Sequence, residues 1–232
     1  MDERLVSMYR RFTWRILSNY VTPWEFEQLK NEITDYEQWC AAWSQHAARH
    51  VERGDAALAA GRRLTAGDAY LRGALAYHWA SFVFTHDQAQ FRAALEAMGD
   101  AWARAAPLVE PPMEPLAVPF EGLVMPGYLR VPDQASRPPV VLLLPGADSA
   151  KEELYNLADH IVARGLAVAA FDGPGQGLLS FDSNLRPDQE VAIQAIVSAL
   201  AALHKSPLVV RSLQSYHERV RAETKRTAGV RA

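Results

Sequence analysis

The sequence predicts an α/β protein, with an N-terminal helical domain followed by the opening, truncated part of a parallel sheet. Three observations point there. The period of the apolar residues changes along the chain from helical to strand-like. All six tryptophans (Trp14, Trp24, Trp39, Trp43, Trp79, Trp102) lie before residue 106, whereas twelve of the fourteen prolines follow residue 107. The later half alternates short apolar runs with amphipathic stretches at the spacing of a strand–helix–strand unit. The divisions this implies are a helical domain over 1–106, a proline-rich linker over 107–117 and a sheet domain over 118–232.

The helices carry their own start signals. Thr22-Pro23-Trp24-Glu25 sets a capping hydroxyl before a proline at the first helical position, with an acid in the opening turn. Asp35-Tyr36-Glu37-Gln38 opens a second helix, along which Trp39, Trp43 and His46 recur on one face. Helix packed on helix accounts for that aromatic stripe. Thr65-Ala66-Gly67-Asp68 reads as a third start resembling a capping box. Ala69, Leu71, Leu75, Trp79 and Phe82 then keep an apolar stripe. Gly54, Gly61 and Gly67 are expected to mark turns between antiparallel helices.

After the linker, Pro119–Glu121 and Gly127–Val131 read as a short antiparallel pair. Val140–Leu144 is an unbroken β-type run, as in a strand covered on both faces. Lys151–Ala163 reads as a helix ended by Gly165, Leu166–Phe171 as a second buried strand, and Asp188–Leu203 as another helix. Residues 204–232 hold seven Lys or Arg against two Glu. No aromatic residues interleave in the way base stacking needs, so the basic tail reads as a solvated helix face.

Composition narrows the classes of partner. Apolar residues make up 49% of the 232, charged residues 22%, and the formal charge is -3, which leaves no electrostatic case for nucleic acid or an anionic membrane. The single cysteine, Cys40, excludes an internal disulfide and a multi-cysteine zinc site. No apolar run approaches a membrane span, and Met1–Arg4 does not open a secretory signal, so the expected location is cytoplasmic.

Two loops carry the chemistry. Leu144-Pro145-Gly146-Ala147-Asp148-Ser149 follows the first buried strand, and ligands of open parallel sheets bind beyond the carboxyl ends of strands. A free N–H after the glycine suits an oxyanion. The alternative is a plain strand–helix turn with Asp148 or Ser149 as helix cap. Phe171-Asp172-Gly173-Pro174-Gly175-Gln176-Gly177 follows the second strand. Its glycines are spaced G-x-G-x-G, which is not the dinucleotide fingerprint, and no helix opens directly after them. The histidines are scattered. His46 and His50 stand four apart but lack the intervening Glu of the zinc motif, so no metal site is expected.

Taken together, these stretches resemble one family. Val118-Pro119-Phe120-Glu121-Gly122, Pro126-Gly127-Tyr128-Leu129, Gly146 to Glu153, Arg164-Gly165-Leu166 and Phe171 to Gly177 are similar to a distinct group of α/β-hydrolases. That group takes in the dihydroxypseudooxynicotine hydrolase of nicotine breakdown, fungal pigment hydrolases that shorten a polyketide, and fermentation–respiration switch esterases. The helical segment around Tyr77-His78-Trp79-Ala80 resembles the group's N-terminal domain. The likeness runs over roughly residues 35–200 and is strongest over 118–177.

The resemblance implies a serine hydrolase of a small molecule, acting on a carbon–carbon bond next to a ketone or on an ester, without metal or organic cofactor. Ala147 falls where the first oxyanion amide belongs. Asp148, Lys151 and Glu152 would position the substrate or the loop, although an acid favoured by a helix N-terminus is a simpler account of Glu152. Val210-Arg211-Ser212-Leu213-Gln214-Ser215-Tyr216 looks like the group's G-R-S-L-G-G-Y with every glycine replaced. Ser212 then aligns with the nucleophile and Leu213 with the second oxyanion amide. An elbow of this kind is crowded, and Val210 and Gln214 bring side chains where glycines relieve it. Beyond Ser212 the only histidine is His217 and the only acids are Glu218 and Glu223, all on what reads as one helix. A triad draws its acid and histidine from separate strand ends. The expectation is a truncated, inactive relative. An alternative is a non-catalytic interaction protein that uses the helical domain and a bare sheet edge, the same edge through which a homo-oligomer would form.

Overall fold

The computed structural model describes residues 2–133 and 138–204. Five helices form the N-terminal domain: α1 (Glu3–Leu17), α2 (Pro23–Glu32), α3 (Trp39–Ala59), α4 (Arg63–Ser81) and α5 (Gln88–Ala105). The start of α2 is as its sequence dictates. Thr22 Oγ1 accepts from Glu25 N and the Glu25 carboxylate accepts from Thr22 N, a reciprocal capping box with Pro23 at the first position. Asp35 caps a short 3₁₀ turn, Tyr36–Gln38, that leads into α3. Trp39 and Trp43 are buried in the domain core, and Trp39 Nε1 donates to the Trp79 carbonyl of α4 at 2.7 Å. The aromatic stripe is helix-on-helix packing.

Two readings of the helical domain need correction. Helix α4 begins at Arg63 without a side-chain cap, so Thr65 lies inside it. Of the three expected turn glycines, only Gly61, at φ +72°, is one. Gly54 and Gly67 sit within α3 and α4 because neighbours press on them. A Cβ on Gly54 would stand 2.5 Å from the Tyr70 ring, and one on Gly67 2.8 Å from the Leu108 carbonyl oxygen. They are contact glycines, placed where α4 (at Gly54) and the turn after α5 (at Gly67) approach too closely for a methyl group.

The sheet has four strands, β1 (Glu114–Phe120), β2 (Leu123–Arg130), β3 (Val140–Leu143) and β4 (Ala167–Phe171), in the order β1-β2-β4-β3. β1 and β2 are antiparallel, β2 and β4 are antiparallel, and β3 and β4 are parallel. β1 starts at Glu114, within the stretch read as linker. It sits at the sheet's edge, where the missing N–H groups of Pro115 and Pro119 cost no ladder bond if they face outward. The wholly buried Arg130 ties the preceding segment down, donating to the Glu110 and Pro111 carbonyls and pairing with Asp159 at 2.8 Å.

β4 is buried throughout, and its side chains alternate between two layers. Ala167, Ala169 and Phe171 face α7 (Gln189–His204) through Ala192, Ile196 and Leu200. Val168 faces α6 (Tyr155–Val162) through Ala158 and Val162. β3 is less enclosed than its sequence predicts: only Val140 is fully buried, because β4 is its one partner among the described residues. No helix among the described residues is long and apolar enough to cross a membrane.

Candidate active site

Parallel pairing of β3 with β4 brings their two C-terminal loops side by side beneath the helical domain. Gln176, in the second loop, holds the first. Its Nε2 donates to the Pro145 carbonyl at 2.8 Å and the Gly146 carbonyl at 3.0 Å, and its Oε1 accepts from Gly173 N at 2.8 Å. A trans peptide directs its C=O and N–H oppositely. With the Gly146 carbonyl fixed on Gln176, the Ala147 N–H points away from it, and it meets no acceptor among the described residues. A cavity of about 390 Å³ opens there, between His78, Ser81 and Phe91 of the helical domain and Ala147, Gly175 and Ser180 of the loops. An unclaimed backbone donor at the wall of such a cleft is equipped to hold a developing negative charge.

One side of the first loop is clamped by charge. Arg15 of α1 donates from Nε and Nη2 to the two oxygens of Glu153 and from Nη1 to Asp148 at 2.9 Å. Ser149 Oγ also donates to Glu153, and His78 Nε2 stands 3.0 Å from the same carboxylate. Burial works to raise the Glu153 pKa, but His78, Arg15 and Ser149 together hold it far below the usual carboxylate range. The same contacts hold the Arg15 guanidinium firmly charged.

Asp148 and Ser149 therefore do not cap the following helix, whose 3₁₀ start at Lys151 has Ala150 before it and no side-chain cap. Asp148, Lys151 and Glu152 are divided between two places. Asp148 lines the Ala147 cavity, whereas Lys151 and Glu152 turn beneath the 3₁₀ segment towards Asp172. The Asp172 carboxylate accepts from Lys151 N at 2.7 Å and from Lys151 Nζ at 2.9 Å, and Nζ also donates to Glu152. Burial raises the Asp172 pKa against the pull of Lys151. Desolvation opposes the lysine charge, yet its two carboxylates hold Lys151 above its ordinary value. This cluster fixes the loop from below. It borders a second cavity, of about 490 Å³, towards Trp102 and Tyr128.

Ser212 and Leu213 lie outside the described residues. His78, one of the scattered histidines and part of the Tyr77–Ala80 stretch, lines the cleft. Arg15 and Glu153, which grip the Asp148–Ser149 side of the loop, were not singled out from the sequence. Arg15 gave no local signal, because its partners lie 133 and 138 residues away. Glu153 closes the Gly146–Glu153 stretch that carried one, but no role was attached to it. Away from both cavities, His46 and His50 of α3 meet Glu25 of α2, a third donor that their spacing does not reveal.

A β1-β2-β4-β3 sheet layered between helices, with its donor loop under a helical domain, defines a protein of the α/β-hydrolase class. The comparisons narrow this. The profile of the FrsA-like esterases matches residues 27–211, and the chain belongs to that family. It is 39% identical over 192 residues to the alpha/beta hydrolase pydG of Acremonium sp, covering 78% of this chain and 45% of the relative. It is 32% identical over 165 residues to the 2,6-dihydropseudooxynicotine hydrolase of Paenarthrobacter nicotinovorans, covering 71% and 44%. The crystal structure of 2,6-dihydroxy-pseudo-oxynicotine hydrolase superposes with a TM-score of 0.72 at 29% identity, over 81% of this chain and 53% of that one. The chain spans about half the length of the curated relatives it matches.

Proposed function

We propose that this chain is the substrate-covering and oxyanion-bearing part of a serine hydrolase acting on a small ketone or ester, cleaving the carbon–carbon bond beside a ketone or the ester bond. The observation that carries the proposal is the Ala147 N–H, which meets no acceptor among the described residues, on a cleft roofed by α4 and α5. In this reading a serine passes its proton to the relay's base and attacks the substrate carbonyl, and the Ala147 amide receives the oxyanion. The leaving alkoxide or carbanion takes up that proton, and one water then hydrolyses the acyl-enzyme beneath the covering helical domain. Ser212 stands for the nucleophile and the Leu213 N–H for the second donor. Arg15 and Glu153 hold the loop in register. Hydrolysis needs no cofactor.

In this reading the proton relay is not drawn from the residues close behind Ser212. His217, Glu218 and Glu223 crowd within eleven residues of Ser212, too near in sequence to approach it from separate strand ends. The chain alone is therefore expected to leave a short-chain p-nitrophenyl ester uncleaved, with Ser212→Ala indistinguishable from the parent. Turnover abolished by that substitution overturns the proposed incompleteness.

A second reading rests on β3, whose outer edge has no partner among the described residues. In that reading the chain is an interaction protein and pairs with a second copy along Val140–Leu143. Sedimentation as a dimer that Leu142→Lys dissociates favours it, and a monomer at high concentration disposes of it.

A further inference from the structure

We infer that Glu25, His46 and His50 form a structural site for a divalent transition metal, with zinc the best fit, pinning α2 to α3. The three side chains converge on one point. His50 Nε2 is 3.2 Å from His46 Nε2 and 3.1 Å from Glu25 Oε1, and His46 Nε2 is 3.7 Å from that same oxygen. Ligand atoms about 2.0–2.1 Å from a tetrahedral zinc lie about 3.3–3.4 Å from one another. The three observed separations straddle that edge.

Hydrogen bonding alone serves this triangle poorly. With both Nε2 atoms unprotonated, three lone pairs face one another; with the hydrogen on His50 Nε2, it reaches only one of the other two atoms in line. A dication at the centre meets all three lone pairs at once. The set also has the accessory features of a metal site. The second oxygen of Glu25 accepts from Thr22 N at 2.9 Å and Thr22 Oγ1 at 2.7 Å. That leaves Oε1 as the atom presented to the imidazoles, the orienting role that outer partners play around bound metals. His46 and His50, four apart on α3, offer their rings from one face. All three side chains are largely buried, at 10%, 14% and 6% exposure for Glu25, His46 and His50, so surface charge clustering does not explain them.

The ligand chemistry selects the metal. Two imidazoles and one carboxylate suit zinc and its transition-metal neighbours, whereas calcium and magnesium require mainly oxygen donors. A water completes the fourth position. None of the three residues lines the Ala147 cavity or the cavity beside Asp172, so the metal's part is to join two helices and not to act on substrate. The inference is independent of the hydrolase reading.

The test uses the full chain, stripped with a chelator and titrated with Zn²⁺, Mg²⁺ or Ca²⁺. One Zn²⁺ is expected to bind per chain, raising Tm by about 5 °C at saturation, while Mg²⁺ and Ca²⁺ leave it unchanged. Substituting Co²⁺ is expected to give the visible bands of a four-coordinate site. Glu25→Gln and His50→Gln keep side-chain volume, and each should weaken Zn²⁺ binding by at least about a hundredfold, beyond the roughly 10–100-fold typical of losing an outer partner. His86→Ala, at an exposed histidine paired with Glu37, should bind as the parent does. Parental affinity in His50→Gln, or a parent whose Tm does not respond to Zn²⁺, overturns the inference. The second readout needs no variant and stands even if a substitution fails to fold.

Discussion

Gln176 is the residue on which the geometry of the candidate site turns. It is nearly buried, and its one amide group makes three hydrogen bonds to the backbone of two loops. Gln176→Leu preserves bulk but strands the Pro145 carbonyl and the Gly173 N–H, and leaves the Gly146 carbonyl with the Ser149 N–H alone. Leaving buried polar groups unmet costs about 1–3 kcal/mol, and that is the expected loss of stability in urea denaturation. It should appear as a lower midpoint with an unchanged slope. The Gly146–Ala147 peptide then loses the shorter of its two anchors. The Ala147 amide cross-peak is accordingly expected to broaden or shift in an ¹⁵N–¹H spectrum, while that of Trp43, deep in the helical domain, stays in place.

At the scale of elements, the glycines inside helices give a paired test, because their environments differ while their backbone setting is shared. A Cβ on Gly54 in α3 would run into the Tyr70 ring, whereas one on Gly99 in α5 meets nothing within 4 Å. Gly99→Ala is expected to stabilise by about 0.5–1 kcal/mol through helix propensity and a less mobile unfolded chain. Gly54→Ala gains the same propensity but must displace a packed aromatic ring, and overpacking of this kind costs about 1–3 kcal/mol. Thermal unfolding should move the two midpoints in opposite directions. The pair also shows which elements were legible beforehand. The start of α2 was, because Thr22, Pro23 and Glu25 form the capping box among themselves. The strands β3 and β4 were, because an apolar run between turn residues is a local signal. The role of Gly54 was not, since what makes it a glycine is Tyr70 on the next helix. The start of β1 was hidden by prolines that only an edge position makes harmless. In the site, the Ala147 loop was recognisable from Gly146 onwards. The clamp on it was not, because Arg15 and Glu153 are neighbours only after folding.

Across the whole molecule, the helical domain and the sheet are joined by a shared core as well as by the Arg15 clamp. Trp102 of α5 packs against Tyr128 of β2 and Tyr155 of α6, with ring centroids 5.3 and 5.7 Å away. Leu75, Leu95 and Met98 belong to the same buried cluster as Ala150 and Ala170. Parts so joined should unfold together, in one transition whether followed by tryptophan fluorescence or by far-ultraviolet circular dichroism. Acid should weaken that union in a defined window. Glu153 is the carboxylate on which Arg15, His78 and Ser149 converge, beside Asp148, and its folded pKa is depressed below the roughly 4.3 of an unperturbed glutamate. A depressed carboxylate contributes stability above its unfolded pKa, and the contribution fades as pH falls from there towards the folded value. Glu153→Gln removes the titrating group and leaves Arg15 without its bidentate partner. The variant is expected to be less stable than the parent by about 1.5–3 kcal/mol at pH 7, the range for hydrogen bonds to a charged group, since Arg15 is 31% exposed and keeps Asp148. The gap should narrow steadily below about pH 4.5, since there the parent's own Glu153 begins to take up a proton. A gap that stays constant from pH 7 to pH 3 would show that Glu153 acts through packing alone and that the charge clamp does not hold the two parts together.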